Sequence, residues 1–380
     1  MKVSQLLGGS NHRRGKAIAL TSSCLLLGAC TTTPSASTAT TVPVEATFGT
    51  LKLWSVTSSV DGLYSVVYLD PYWLVYNQQN TASTWRLKMP TNISSRRGVA
   101  LATNPSGVKA LGFIPYGAQK NTTIFEYGPN GAYAPSFFSG SLLTSSQALT
   151  YGGGGLFALA DVGGKVAVEE QTSAGGPFSQ VTAFPFFATN GSIGFEGNYG
   201  VAIYLTTGGQ VEESSTNDGG ATWSTPVSLS TSGSVVQIFV ATTVPTGAFS
   251  TPAATSVPNF AVVSSSGGGG YTTSFFGGGS KPSTITTPTP PILGTSATGS
   301  ILEVDGAIGG NLSFRTFSQG VLSLASSVQG VHGAVEAIYG DGSKTTIIAS
   351  TNGVPVSYST ESGSVNFGSP LSFDVSALNG

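Results

Sequence analysis

The chain has 380 residues, of which 39% are hydrophobic and only 8% charged, with 15 Lys and Arg against 17 Asp and Glu. Typical soluble domains carry about 25% charge, so Ser, Thr, Asn, Gln and Gly must cover this surface, and the lack of a basic stripe excludes a nucleic-acid-binding face. The apolar content argues against disorder throughout, and the length suits one large domain or two ordinary ones.

Lys2, Arg13, Arg14 and Lys16 form a basic start, followed by a short apolar run over Ala17–Ala29. That run is too short for a stable bilayer-spanning helix, so residues 1–29 read as an export signal. It ends in Leu27-Gly28-Ala29-Cys30, which resembles the lipobox of bacterial lipoproteins. The resemblance implies cleavage before Cys30, acylation of its sulfur and attachment through membrane lipid, with the protein outside the cytoplasm; an ordinary signal peptide with a chance cysteine is the alternative. Cys24 and Cys30 are the only cysteines, so the mature chain forms no internal disulfide. Residues 30–49, rich in Thr, Ser and Pro, read as a low-complexity tether.

From about residue 50 the chain becomes a series of short β segments separated by Gly, Asn, Asp and Pro: Leu63–Leu69, Tyr72–Tyr76, Val108–Ile114, Gly200–Leu205, Val235–Val240, Phe260–Val263, Val335–Tyr339 and Thr345–Ala349. β-branched and aromatic residues dominate them, and no segment has helical periodicity. Gly163-Gly164, Gly208-Gly209 and Asp341-Gly342 fit tight hairpins. The longest inserts are Thr243–Pro258 and Gly277–Pro291, and the Pro-rich Lys281–Pro291 reads as an extended, mobile loop.

One motif organises these segments. Residues 216–223 read Thr216-Asn217-Asp218-Gly219-Gly220-Ala221-Thr222-Trp223, which resembles the Asp-box of sialidase-type β-propellers. The pattern suits a hairpin: Asp218 accepts backbone N–H groups downstream, Gly219 and Gly220 take positive φ, and Trp223 offers an apolar face to a neighbour. Weaker copies are Gln78–Trp85, Glu126–Tyr133, Thr172–Phe178, Ser264–Tyr271, Ala307–Phe314 and Thr360–Phe367. Their aromatic ends recur every 45–50 residues or so, the size of a four-stranded blade. The expected fold is therefore all-β, a single seven-bladed β-propeller of four-stranded antiparallel blades over residues 50–377, with six or eight blades as alternatives. First and last units each carry four strands, which leaves the mode of ring closure open.

The resemblance also brings an enzyme into consideration. A sialidase implies three arginines gripping a carboxylate, and this chain offers Arg86, Arg96, Arg97 and Arg315, two of them adjacent. Phe314-Arg315-Thr316-Phe317 is the one fragment similar to the family's opening Phe-Arg-Ile-Pro motif, and it sits near the chain's end instead of its beginning. A two-carboxylate glycosidase would draw on Asp61, Asp70, Asp161, Glu196, Asp305 and Glu336, none in a recognisable motif. Asp61, Asp305 and Asp341 precede glycines and read as turn residues; Glu169-Glu170 and Glu212-Glu213 read as exposed strand positions. His332 reads as structural, between blades six and seven. Trp85 and Trp223 belong between blades, and core packing is the favoured reading for Trp54 and Trp73.

These readings converge on a monomeric, membrane-anchored extracytoplasmic propeller lipoprotein acting as a non-enzymatic binding or scaffolding module. It has a protein or glycan partner on a propeller face, lipidation at Cys30, and no metal or cofactor. Thr216, Asp218, Gly220, Thr222 and Trp223 are its structural motif residues. The alternative is a glycan-active hydrolase of the sialidase-like type. Few carboxylates also imply a stability that depends weakly on pH, as suits an acidic exterior.

Overall fold

The computed structural model describes the backbone of residues 52–373 apart from 60–61, 70–71, 78–81, 89–98, 105, 114–120, 129, 146, 244–256, 279–280, 307–309 and 352–353. Side chains are described from residue 100 onward in those segments, save 113, 351 and 354. The expected leader and tether, Cys30 included, lie outside the described residues.

The described residues form seven antiparallel sheets and no helix. Each sheet is a meander of strands consecutive in the chain, so hairpins alone connect them. Blade one comprises Lys52–Ser59, Gly62–Leu69, Tyr72–Asn77 and Ala82–Lys88. Blade two comprises Val99–Thr103, Lys109–Phe113 and Asn121–Gly128, with Gly131–Ala132 and Ser136–Ser139 sharing the outer edge. Blade three has an interrupted inner edge, Ser141–Leu142 and Leu149–Gly152, then Gly155–Val162, Lys165–Gln171 and Ser179–Phe184. Blade four runs Ala188–Glu196, Tyr199–Thr206, Val211–Thr216 and Val227–Leu229, and blade five Ser234–Val240, Phe260–Ser266, Gly270–Phe276 and Ser283–Thr287. Blade six comprises Ile292–Thr295, Ile301–Asp305 and Leu312–Ser318, edged by Val321–Leu322 and Ser326–Val328. Blade seven runs Ala334–Gly340, Lys344–Thr351, Val354–Glu361 and Leu371–Ser372.

First strands of neighbouring blades pack side by side from blade one to five and from six to seven, and that of blade seven packs beside that of blade one. Blades one and seven both supply all four of their own strands. Among the described residues the ring thus closes by packing of side-by-side blades, each built from its own strands. Blades five and six are joined where the Thr295 hydroxyl donates to the Thr242 carbonyl (3.0 Å) and the Asn259 amide to the Gly299 carbonyl (2.9 Å). A bulge near the start of the first strand recurs in blades one, four, five and seven, where it adds local twist.

Hydrophobic packing lies between blades. Val201, Ile203 and Val211 of blade four meet Ile238, Val240, Phe260 and Val262 of blade five. Phe239, Val263 and Phe275 meet Leu293, Ile301 and Phe317 of blade six. Leu302, Val304 and Phe314 then meet Ile338, Ile347 and Tyr358 of blade seven. Alternate residues along a strand face opposite neighbours, as the two-residue period requires; burying each such side chain contributes about 1.5–3 kcal/mol.

Two expectations change here. Lys281–Pro291 is not a loop: Ser283–Thr287 is the outer strand of blade five, paired with Tyr271–Phe275. Pro282 and Pro288 flank it without interrupting it, and β-branched Thr284, Ile285, Thr286 and Thr287 suit an edge strand that accepts proline at its ends. Ser264–Tyr271 and Ala307–Phe314, read as motif copies, span the turn between second and third strands. The intact motif instead joins third to fourth strands. A meander blade makes both turns once per repeat, and Gly/Ser-rich turns of either kind recur at the blade period.

Candidate functional site

In such a meander the first–second and third–fourth hairpins share one face of the ring, here called upper. The second–third hairpins and the links between blades share the lower face. The Thr216–Trp223 hairpin is on the upper face of blade four. Its centre is Asp218, which accepts from the Thr222 backbone N–H (2.9 Å), the Thr222 hydroxyl and the Thr216 hydroxyl (2.7 Å). Those bonds, led by the Thr222 hydroxyl, hold the exposed carboxyl down at about 2. Thr216 Oγ1 also accepts from Gly220 N–H (3.1 Å), and Trp223 Nε1 donates to the Gly220 carbonyl (3.0 Å). The Trp223 ring meets Phe195 edge-on, with centroids 6.0 Å apart, and packs against the core shared by blades two to four.

The hairpin also contacts blade three. A Cβ on Gly220, whose φ is +99°, would come within 2.6 Å of the Phe157 ring. A Cβ on Gly153, at φ +53°, would stand 1.7 Å from the Gly219 carbonyl oxygen. Glycine is required at both positions by backbone conformation and close approach together. All five expected motif residues are thus brought together, as an inter-blade clasp.

Related clasps recur at third–fourth hairpins. Glu126 of blade two, buried, accepts from Tyr151 Oη (2.9 Å) and from Gly175 N–H (2.6 Å) in the Thr172–Phe178 hairpin of blade three. In blade seven, Asn366 bridges Gln329 of blade six, and Phe367 is buried where Trp223 lies in blade four. Residues 78–81 of the first copy, and the Trp54, Trp73 and Trp85 side chains, lie outside the described residues.

The carboxylates considered for chemistry are dispersed. Asp161 caps its own hairpin by accepting Gly164 N–H (2.8 Å), and Asp341 does the same for Ser343 and Lys344 (2.9 and 2.7 Å). Glu196 ends the first strand of blade four on the upper face, half-buried, with its carboxyl raised by burial. Glu336 is exposed near the start of blade seven's first strand. Asp61 and Asp70 lie outside the described residues.

Glu169 and Glu212 are buried, contrary to expectation, while Glu170 and Glu213 are half-buried. Ser228 donates to Glu212 (2.6 Å), and burial raises the carboxyls of Glu169 and Glu213. A buried polar residue in an apolar-flanked strand has no distinguishing sequence signal, because neighbouring blades hide both faces of the sheet.

Asp305 also departs from its reading as an exposed turn residue. It is buried on the second strand of blade six and joins Glu303 in binding one base, Arg315 Nη1, which donates to Glu303 Oε2 at 2.8 Å and to Asp305 Oδ2. The composition of the chain concealed this cluster, because Glu303 carries no motif and Arg315 lies in a fragment read for a different role. His332 is exposed in the link between blades six and seven, where its carbonyl accepts from Tyr358 Oη (3.2 Å). Among the described residues, no three of His, Cys, Asp and Glu group in a way that could hold a metal ion.

No protein-family profile matches the chain, and no curated protein does. Solved structures do. The chain is similar to the WD40 repeats of RRP9 (TM-score 0.53, 12% identity, covering 79% of this chain and 87% of that one). It is similar to Kuenenia stuttgartiensis hydrazine synthase (0.55, 9%, 86% and 99%) and to the Dos1 propeller (0.51, 12%, 84% and 80%). The fold is a β-propeller. At these identities the likeness carries architecture alone, and it reaches both enzymes and repeat propellers.

Proposed function

We propose that this protein is a lipid-anchored, extracytoplasmic β-propeller that binds or scaffolds another protein without catalysis. The reading rests chiefly on where exposed apolar side chains lie. Phe137, Val227, Val321, Leu324 and Leu371 are all exposed on or beside outer strands, in blades two, four, six and seven. Outer strands usually carry charge that discourages pairing with other chains, yet residues 316–335 and 362–373 contain no Asp, Glu, Lys or Arg. In blades six and seven the rim therefore offers an uncharged, partly apolar surface of the kind partners use.

The carboxylates add support, since Asp161, Asp218, Asp341, Glu126, Glu212 and the Glu303–Asp305 pair are each engaged in the fold's own hydrogen bonds. Arg315, the described arginine nearest the sialidase pattern, is bound to two acids inside the fold. The Thr216–Trp223 clasp supports placing the chain beside Asp-box propellers in architecture.

Affinity capture from native membranes, with the acylated protein as bait, tests this function. A partner retained by the wild type and lost with Leu324→Glu supports it; turnover in a screen of soluble glycans would replace it with the hydrolase reading. Anchoring is checked separately by labelling with a fatty-acid analogue, which Cys30→Ser should abolish.

A further inference from the structure

The seam between blades five and six holds a charge imbalance. Ile301 and Phe317 face blade five, while Leu302, Val304, Leu312 and Phe314 face blade seven. By alternation Glu303, Asp305 and Arg315 also face blade five. Phe275 of blade five stacks on Phe317 at 5.3 Å, and the third strands of neighbouring blades run in the same direction. Two residues before each ring stand Thr273 and Arg315, so Thr273 lies at the level of the cluster.

Glu303 is 1% exposed and Thr273 fully buried. Arg315 serves one Glu303 oxygen. Glu303 Oε1 and Thr273 Oγ1 are both buried without a hydrogen-bond partner among the described residues. Blade five supplies no countercharge: residues 234–287 contain one charged residue, Lys281, outside the strands. The titratable group it presents on this side is Tyr271, at the seam's edge. Strand Ile292–Thr295 of blade six contains no titratable side chain. With both acids ionised, two negative charges share one base, and Glu303, itself closed off from water, keeps a buried carboxylate oxygen without a donor. That arrangement is costly. A proton from solvent on Glu303 leaves Asp305 and Arg315 balanced, lets the protonated carboxyl donate to Asp305, and removes the net charge buried against blade five.

We propose that the seam between blades five and six is a proton-operated latch, tight when Glu303 is protonated and loosened when it is ionised. Burial first, then the Asp305 charge, raises the Glu303 carboxyl against the opposing pull of Arg315, from 4.5 to about 7. The folded chain then holds more protons than the unfolded chain between those values, so stability falls as pH rises from 4.5 through about 7. This seam is tightest in mild acid, which refines the near-flat pH dependence expected from composition.

Hydrogen exchange at pH 5 and pH 8 tests the latch. In the wild type, amides of Gly270–Phe276 and Leu312–Ser318 should lose protection by about tenfold or more at pH 8 after correction for intrinsic exchange, the change that one unit of pKa difference produces. Those of Lys109–Phe113 in blade two should not. Glu303→Gln, neutral at both values, should keep the seam protected at pH 8. An equal loss in that variant, or a loss spread evenly over all blades, overturns the proposal. Asp305→Asn gives an independent reading should Glu303→Gln fold poorly. Removing the Asp305 charge lowers the Glu303 carboxyl, so the midpoint of the wild-type transition should move to lower pH; an unmoved or raised midpoint also refutes the latch.

Discussion

Two glycine-rich hairpins in adjacent blades make opposite uses of the same residues. At 216–223, glycine lets backbones touch: Gly219 and Gly220 adopt φ of +77° and +99°, against Gly153 and the Phe157 ring of blade three. At 264–271, a Cβ on Gly267, Gly268 or Gly269 would meet nothing within 4 Å. Ser266, at the position of Asp218, donates to the Gly270 carbonyl (3.0 Å) and so closes its own turn. The first hairpin is held down by a neighbouring blade and the second stands free on the lower face. Glycine content marks a turn in both; only what lies over the turn makes one of them a clasp.

That difference can be broken most sharply at Gly153. Alanine there combines a positive φ with backbone atoms that cannot move aside, and such clashes cost about 3 kcal/mol or more. Urea unfolding of Gly153→Ala should show a midpoint far below that of the wild type, and a near-wild-type midpoint would mean the clasp is not seated as described. Trp223→Ala should come next, at about 2–3 kcal/mol, because the ring is half-buried against Phe195 and the inter-blade core.

Asp218→Ala should do less, and its effect should depend on pH. The folded carboxyl lies at about 2, below the ordinary 3.8. Its contribution is therefore present above 3.8 and lost as pH falls through about 2. The variant should melt at a lower temperature than the wild type at pH 6, and the two melts should converge near pH 2. Partner binding by the molecules that remain folded should be unchanged. A stable variant with selectively lost binding would show that the hairpin belongs to the binding surface instead.

The architecture was legible because each blade repeats a pattern that strand chemistry requires: β-branched runs about five residues long, glycine or asparagine at the turns, and an aromatic that reaches the next blade. The number of blades survived two misassigned turns because either turn recurs once per blade. What the chain did not disclose was burial. In an exposed antiparallel sheet one face is wet and a Glu there is ordinary. In a propeller both faces of a blade are covered, so Glu126, Glu169, Glu212 and Glu303 are buried in strands of apolar neighbours, and their alternation is the same as that of a half-exposed strand with Glu on its wet face. Ser283–Thr287 was hidden for the converse reason. An outermost strand has one partner and one open edge, so its flanking prolines and threonines are those of a loop. The latch cluster needed three residues from two strands and an uncharged wall from a third, an arrangement that no linear spacing encodes.

The smallest expected effect is the control that gives the larger ones their meaning. Gly268 resembles Gly220 in composition and neighbours, yet its φ is not in the left-handed region and nothing occupies the space around it. Alanine at this position removes freedom from the unfolded chain without strain in the folded one, so Gly268→Ala should leave stability unchanged or raise it by about 0.5 kcal/mol. Ser266→Asp, which restores the motif's carboxylate at the wrong turn, should likewise give no clasp-like stabilisation, because no blade is seated over it. If Gly268→Ala destabilises as strongly as Gly153→Ala, the free hairpin is covered by something, and the contrast between the two turns collapses. Equal urea midpoints for Gly268→Ala, Ser266→Asp and the wild type would instead place the difference between these hairpins in their contacts and not in their glycines.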